Sequence, residues 1–130
     1  MEKKPDWIIH GVCDGQRVNF HTHGLGRYGH KDFQIVLPYP HQELCRILNT
    51  LGSQVRDGKV FSDGERIPGI YEDCDVRLME FEETGRTVLR VIVPDKNNRF
   101  PDEPGCEYPY FIQTLPTDFL VPVEKNRPIS

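Results

Sequence analysis

Two histidines separated by one residue, His21 and His23, are the side chains in this sequence best suited to hold a metal ion. Side chains two positions apart in a β-strand lie on the same face, so a strand here places both imidazoles side by side. Imidazole nitrogens are ligands for zinc and other transition ions. The interpretation we favour is two polar histidines that bind no ion, and no cofactor is then expected. The alternative is a divalent-metal site at His21 and His23, completed by His30 or His41 and a carboxylate.

His30 follows a glycine-dense loop, residues 24–32, and comes just before a predicted strand. A histidine at this place is suited to acid–base chemistry, because its charge changes near neutral pH, or to a hydrogen bond that holds the loop. We expect the structural role. Gly24 to Gly29 also satisfy G-x-G-x-x-G, but no helix is predicted after Gly29, as a dinucleotide-binding turn would require. The loop is therefore predicted to be a tight turn with glycines at positive φ.

A second polar loop, residues 95–105, contains acidic side chains, an arginine, a phenylalanine and two prolines. This composition is typical of a rigid, exposed recognition loop. Arg99 is suited to clamp a carboxylate or a phosphate of a ligand. It is equally suited to pair with Asp95 or Asp102 and hold the loop shut, which is the interpretation we favour. The candidate binding residues are thus Gly29, His30, Asp95, Arg99 and Asp102.

One helix and several short strands are predicted from the pattern of apolar residues. Apolar residues recur every three or four positions between 41 and 57, which is the spacing of one helical face, and Gly58 is placed to end that helix. Gly52 lies inside the helix and is expected to allow close approach of another element. Turn signals are Asp14-Gly15 and Glu83-Thr84-Gly85. Strands are predicted over residues 7–12, 17–23, 33–37, 76–81 and 87–93, turns over 59–72, and an aromatic stretch over 108–115.

Strands on both sides of one helix, joined by mostly short connections, predict an α+β fold. We expect an antiparallel or mixed sheet with the main helix, about 41–57, packed on one face. The 130 residues are near the usual size of one domain. We therefore expect a single domain over residues 1–130, ending in a solvated tail from about residue 124.

Composition excludes several classes of protein. Sixteen basic and twenty acidic residues give a net charge of −4, which is unsuited to a nucleic-acid-binding face. The longest aliphatic runs are far shorter than the about 20 residues that span a membrane, and no leader segment is expected at the N-terminus. Four cysteines stand about thirty residues apart with no C-x-x-C pair, so free thiols and a cytoplasmic location are expected.

The spaced motifs resemble those of the bacterial domain-of-unknown-function family numbered 4262. They include a Gly-Leu segment at residues 24–25, Gly29-His30, a helix ending in Arg56-Asp57-Gly58, and Pro94-Asp95 followed by Arg99-Phe100-Pro101. The similarity covers roughly residues 7–115. It implies that the Gly-His loop and the Arg-Phe-Pro loop belong to one shared architecture. His21 and His23 stand where the family usually has other residues, so the pair is not implied to be a family metal site.

The leading hypothesis is a small cytoplasmic bacterial domain that acts as a binding or accessory module. Its partner is expected to be a protein or a small molecule, bound on a surface formed by loops 24–32 and 95–105. The alternative from another class is a metal- or histidine-dependent hydrolase that uses His21, His23 and His30. Metal content and the effect of His23→Ala distinguish the two.

Overall fold

The computed structural model of the protein describes residues 6–14 and 17–120. The predicted tail, from about residue 124, and Gly15 of the first predicted turn lie outside the described residues. A six-stranded mixed sheet is the centre of the fold, with the strand order β1-β2-β3-β6-β5-β4. Its strands are β1 (Ile8–Asp14), β2 (Arg17–His23), β3 (Phe33–Ile35), β4 (Arg66–Ile67), β5 (Val76–Glu83) and β6 (Arg86–Ile92).

The sheet is antiparallel except for one parallel pair, β3 beside β6. One main helix, α1 (His41–Arg56), connects the two halves of the sheet. A mixed sheet with one main helix confirms the predicted α+β fold. Thr84 and Gly85 both have positive φ, 44° and 84°, and join β5 to β6 as the predicted hairpin turn.

The apolar stripe of α1 packs on one face of the sheet and forms the core. Its fully buried leucines and isoleucine alternate with polar residues at helical spacing, which is why burial stabilises this segment as a helix. Gly52 fulfils the expected close approach, because a Cβ there would lie 2.7 Å from the ring of Trp7. The helix ends before Gly58, whose φ of 105° suits glycine.

Two segments differ from the sequence prediction. The predicted turn region 59–72 contains β4, because Arg66 and Ile67 pair with the start of β5. A strand of two residues forms only through pairing with its neighbour, so its own sequence contains no pattern that predicts it. The aromatic stretch contains a 3₁₀ turn, Tyr110–Thr114, followed by a short helix, α2 (Thr117–Leu120).

The second face of the sheet is unusually polar, and residues 110–120 cover part of it. Arg90, which is fully buried, donates from Nη1 to the carbonyl oxygens of Gln113 and Leu115 at 2.7 and 2.6 Å. Its Nη2 donates to Thr117 Oγ1 at 2.9 Å. The guanidinium also lies over the Phe81 ring at 3.6 Å. Burial lowers the pKa of Arg90 to about 9, while the charge of Glu83 opposes that shift. This arginine therefore fastens the C-terminal segment to the sheet.

Candidate metal centre

Three histidines lie together on the second face, at the β1–β2 pair. His10 is directly opposite His21 in the register, and His23 lies two residues further along β2. Side chains opposite one another and two apart on one strand share a face. The ring centroids are 5.8 Å apart for His10 and His21, 5.2 Å for His10 and His23, and 4.8 Å for His21 and His23. One nitrogen from each ring lies within 4.8 Å of the other two.

A buried carboxylate lies directly behind His21. Glu83, at the end of β5, is 3% exposed and places Oε2 2.7 Å from His21 Nδ1. Asn19 Nδ2 donates to the same oxygen at 3.2 Å, and Arg86 Nε donates to Oε1 at 3.0 Å. Burial alone would raise the pKa of Glu83, but the hydrogen bond and charge of His21, followed by the bonds from Arg86 and Asn19, lower it to about 2. The carboxylate is therefore ionised at neutral pH.

The carboxylate determines which nitrogen of His21 is available. An ionised Glu83 can only accept hydrogen bonds, so His21 Nδ1 carries the proton and donates it. When the ring is neutral, as metal binding requires, Nε2 of His21 is the nitrogen left with a lone pair for an ion. A carboxylate on the outer nitrogen of a metal-bound histidine is a common supporting arrangement in metal sites.

His23 is suited to ligation for a different reason. Burial, followed by the positive charge of Arg86 and of His21, lowers its pKa, so its ring favours the neutral form that binds metal. His10 is exposed, His23 is half-buried and His21 is buried. The three rings therefore span the distance from solvent to the buried Glu83.

The spacing of the three nitrogens can be compared with that around a bound transition ion. Zinc–nitrogen bonds of 2.0–2.1 Å place ligand nitrogens about 3.4 Å apart in a tetrahedral site. The nitrogens here lie within 4.8 Å of one another, so the rings would have to approach further to hold such an ion. The donor set is three imidazoles.

The predicted completing ligands do not lie at this site. His30 Nε2 accepts a hydrogen bond from the Phe61 amide at 3.0 Å, and its Nδ1 lies 2.8 Å from the Lys31 carbonyl oxygen. His41 packs on Phe20, on the helix-covered face of the sheet. Neither belongs to the three-histidine group, whose third member is His10. The carboxylate beside this group is Glu83, which lies behind His21 and is not one of the grouped ligand atoms.

The sequence contained a signal for His10 that depends on the hairpin register. Asp14 pairs with Arg17, so Asp14 is part of β1, and counting back from this pair places His10 opposite His21. A turn centred on Asp14-Gly15 would have shifted the register. Glu83 has no comparable signal, because its position beside His21 depends on the order of strands in the sheet.

The candidate residues of loop 95–105 are engaged in contacts within the protein. Asp95 accepts hydrogen bonds from the amides of Asn97, Arg99 and Glu107, each at 2.9 Å. Burial would raise the pKa of Asp95, but these bonds outweigh it and lower the pKa. Arg99 lies 4.0 Å from Asp95, whereas Asp102 pairs with Arg77 at 3.3 Å.

Loops 24–32 and 95–105 lie at opposite ends of the sheet. The first loop leads into β3 and the second follows β6, and these two strands are parallel. Two parallel strands both start at one end of the sheet and both finish at the opposite end. Asp32 accordingly pairs with Arg86, the first residue of β6, at 2.8 Å. The expectation that the two loops form one surface is therefore wrong. Gly29 and His30 line a shallow cleft with Phe61 at the end of the sheet where loop 24–32 lies.

Within residues 6–14 and 17–120, no helix combines the length and apolar character needed to cross a membrane. Neither a curated protein nor a solved structure matches the chain. One family model, described as a domain of unknown function, DUF4262, matches residues 3–107. That range includes all three histidines and Glu83, while residues 110–120 lie beyond it. The match spans most of the sequence, so the chain belongs to the DUF4262 family.

Proposed function

We propose that this protein is a metal-binding domain that holds one divalent transition ion with His10, His21 and His23. The observation that carries the proposal is the convergence of three imidazoles from adjacent strands, with the buried, ionised Glu83 fixing the outer nitrogen of His21. A carboxylate in this position orients a ligand and makes it more basic.

The donor set favours a restricted class of ions. Three imidazole nitrogens suit Zn²⁺, Cu²⁺, Ni²⁺ and Co²⁺, whereas Mg²⁺, Ca²⁺ and Mn²⁺ prefer oxygen ligands. Zinc is the probe we choose, because it binds without redox chemistry and accepts tetrahedral nitrogen ligands.

The proposal takes the place of the binding surface expected from the two loops, and it removes His30 from the hydrolase hypothesis. A bacterial cytoplasm remains the proposed setting. The resemblance to a bacterial family supports the origin, and Cys45, Cys74 and Cys106 form no disulfide among the described residues, which suits a reducing compartment.

The test is the zinc content of protein made without a histidine tag. After equilibration with zinc and removal of free ion, elemental analysis is expected to give one zinc per chain. His10→Ala and His23→Ala are expected to lose it. His30→Ala and His41→Ala are matched controls and are expected to retain it, because neither ring lies at the centre. Zinc that is absent from the unmodified chain, or lost equally from all four variants, would contradict the proposal.

A further inference from the structure

We infer that the bound ion keeps one coordination position open to solvent and that this position takes a small anion. The inference rests on the proposed metal function and adds to it the ligand that completes the ion's shell. It depends on which side chains neighbour the three histidines, on how exposed the site is to solvent, and on the formal charges beside it.

The side chains that flank His10 on β1 contain no atom that can bind a metal ion. Ile8 and Val12 flank it on the same face of β1, since side chains two apart in a strand point the same way. In the register, Ile8 lies opposite His23 and Val12 lies opposite Asn19. Two sides of the site are therefore lined by aliphatic groups.

The polar neighbours on β2 and β3 are already engaged. Asn19 Oδ1 accepts from Gln34 Nε2 at 3.2 Å, and Gln34 Oε1 accepts from Arg90 Nε at 2.7 Å. Both oxygens of Glu83 accept hydrogen bonds, as described above. Moving any of these oxygens to the ion would leave a buried donor unpaired. Among the described residues, the cluster with ligand spacing contains the three histidines alone.

The remaining direction leads to solvent. Ile8 is 60% exposed and His10 is exposed, whereas His21 forms the buried side of the site. Three protein ligands with an exchangeable fourth is the arrangement of catalytic zinc sites, while structural zinc sites are closed by four protein ligands.

Charge favours an anion as the fourth ligand. Three neutral imidazoles leave the ion with its full double positive charge. The charged side chains beside the site are Glu83, Asp32 and Arg86, which pairs with both carboxylates, and Arg90, which interacts with the charge of Glu83. Their formal charges cancel, so the occupied site keeps a net positive charge that attracts an anion.

Cobalt-substituted protein and azide test this inference. Tetrahedral Co²⁺ absorbs visible light, and the spectrum changes when its fourth ligand is exchanged. We expect the chain to bind one Co²⁺ and azide to change the spectrum in a saturable manner. A cobalt protein whose spectrum azide leaves unchanged would overturn the open position but leave metal binding intact. Failure to bind Co²⁺ and Zn²⁺ at all would overturn the proposed function and this inference together.

A variant that closes the position provides the matched control. Ile8→His adds an imidazole on the same face, beside His10 and opposite His23, at a site exposed enough to accept it. We expect this variant to bind Co²⁺ and to lose the response to azide. Val60→His, at an exposed residue on another part of the surface, is expected to keep the response. An undiminished response in Ile8→His would contradict the position that we assign to the open site.

Discussion

At the scale of single side chains, the proposed metal centre depends on a residue that would not touch the ion. Glu83 holds the proton of His21 on Nδ1 through a 2.7 Å contact, and Asn19 and Arg86 in turn fix Glu83. Partners of this kind affect ligand orientation and basicity. We therefore treat Glu83 as a positioning residue.

Glu83→Gln is expected to lower zinc affinity by about 10- to 100-fold, because the amide keeps the shape of the side chain and loses the charge that orients His21. Competition with a chromophoric chelator measures the affinity, and circular dichroism establishes that the variant is folded. Glu82→Gln, at an exposed neighbour on β5, is the control and is expected to bind zinc normally. Equal affinity of the two variants would show that Glu83 does not support the site.

His30 is expected to stabilise the fold without taking part in metal binding. His30→Ala removes the acceptor of the Phe61 amide and a ring that packs beside Phe33. We expect the free energy of unfolding to fall by about 1 to 3 kcal/mol, the effect of leaving a partly buried donor unpaired. Urea denaturation measures it, with His41→Ala as the exposed control. An unchanged midpoint would mean that the loop does not depend on His30.

At the scale of elements, β1 is the strand most affected by an ion. It is an edge strand paired only with β2, and five of its seven residues are exposed. Little apolar burial holds it in place, so its backbone pairing can open locally at a low free-energy cost. An ion shared by His10 and the two histidines of β2 joins the edge strand to the sheet.

Zinc is expected to slow amide hydrogen exchange in β1. At a free zinc concentration about 100 times Kd, openings that break the site become less favourable by about 2.7 kcal/mol, which is about 100-fold slower exchange. Mass spectrometry of peptides covering residues 8–14 reads this out, and the opposite edge, β4, is the internal control. The effect is expected to vanish in His10→Ala. Equal slowing in that variant would mean that zinc acts elsewhere.

At the scale of the whole molecule, the polar second face makes the C-terminal segment a part of the fold. Among the residues that the structure describes, no carboxylate is hydrogen-bonded to Arg90, and its donors reach two carbonyl oxygens of residues 110–120. Gln113 adds bonds to both the amide and the carbonyl of Val93, at 2.9 and 2.7 Å. Hydrogen bonds thereby hold the segment to the sheet. Because hydrogen bonds are directional, they also fix its orientation.

Arg90→Met is expected to loosen residues 110–120 while the helix-covered core remains folded. The methionine leaves the carbonyl oxygens of Gln113 and Leu115 without their buried donor. We expect chymotryptic cleavage after Phe111 or Phe119, both exposed aromatic residues, to become about tenfold faster, equivalent to about 1.4 kcal/mol. Arg66→Met, at an exposed arginine, is the control. Unchanged cleavage would show that Arg90 does not hold the segment.

Elements whose apolar residues recur at a regular spacing could be predicted from the sequence alone. The stripe of apolar residues predicted α1 to within one residue, and β2 was predicted with its observed bounds. Burial acts on such periodic patterns in any context, which is why they can be read locally. The two-residue β4 escaped detection because it depends on pairing with β5.

The His21 and His23 pair was also visible in the sequence, because strand alternation fixes their shared face. His10 joins them through the register of the β1–β2 hairpin, whereas Glu83 lies behind His21 because of the order of strands in the sheet. Register depends on the turn, and strand order depends on which apolar faces are buried together. The same parallel pairing of β3 with β6 separated the two loops that the sequence had placed on one surface. Contacts between residues as distant as 21 and 83 are set by the global packing of the sheet, which no local pattern encodes.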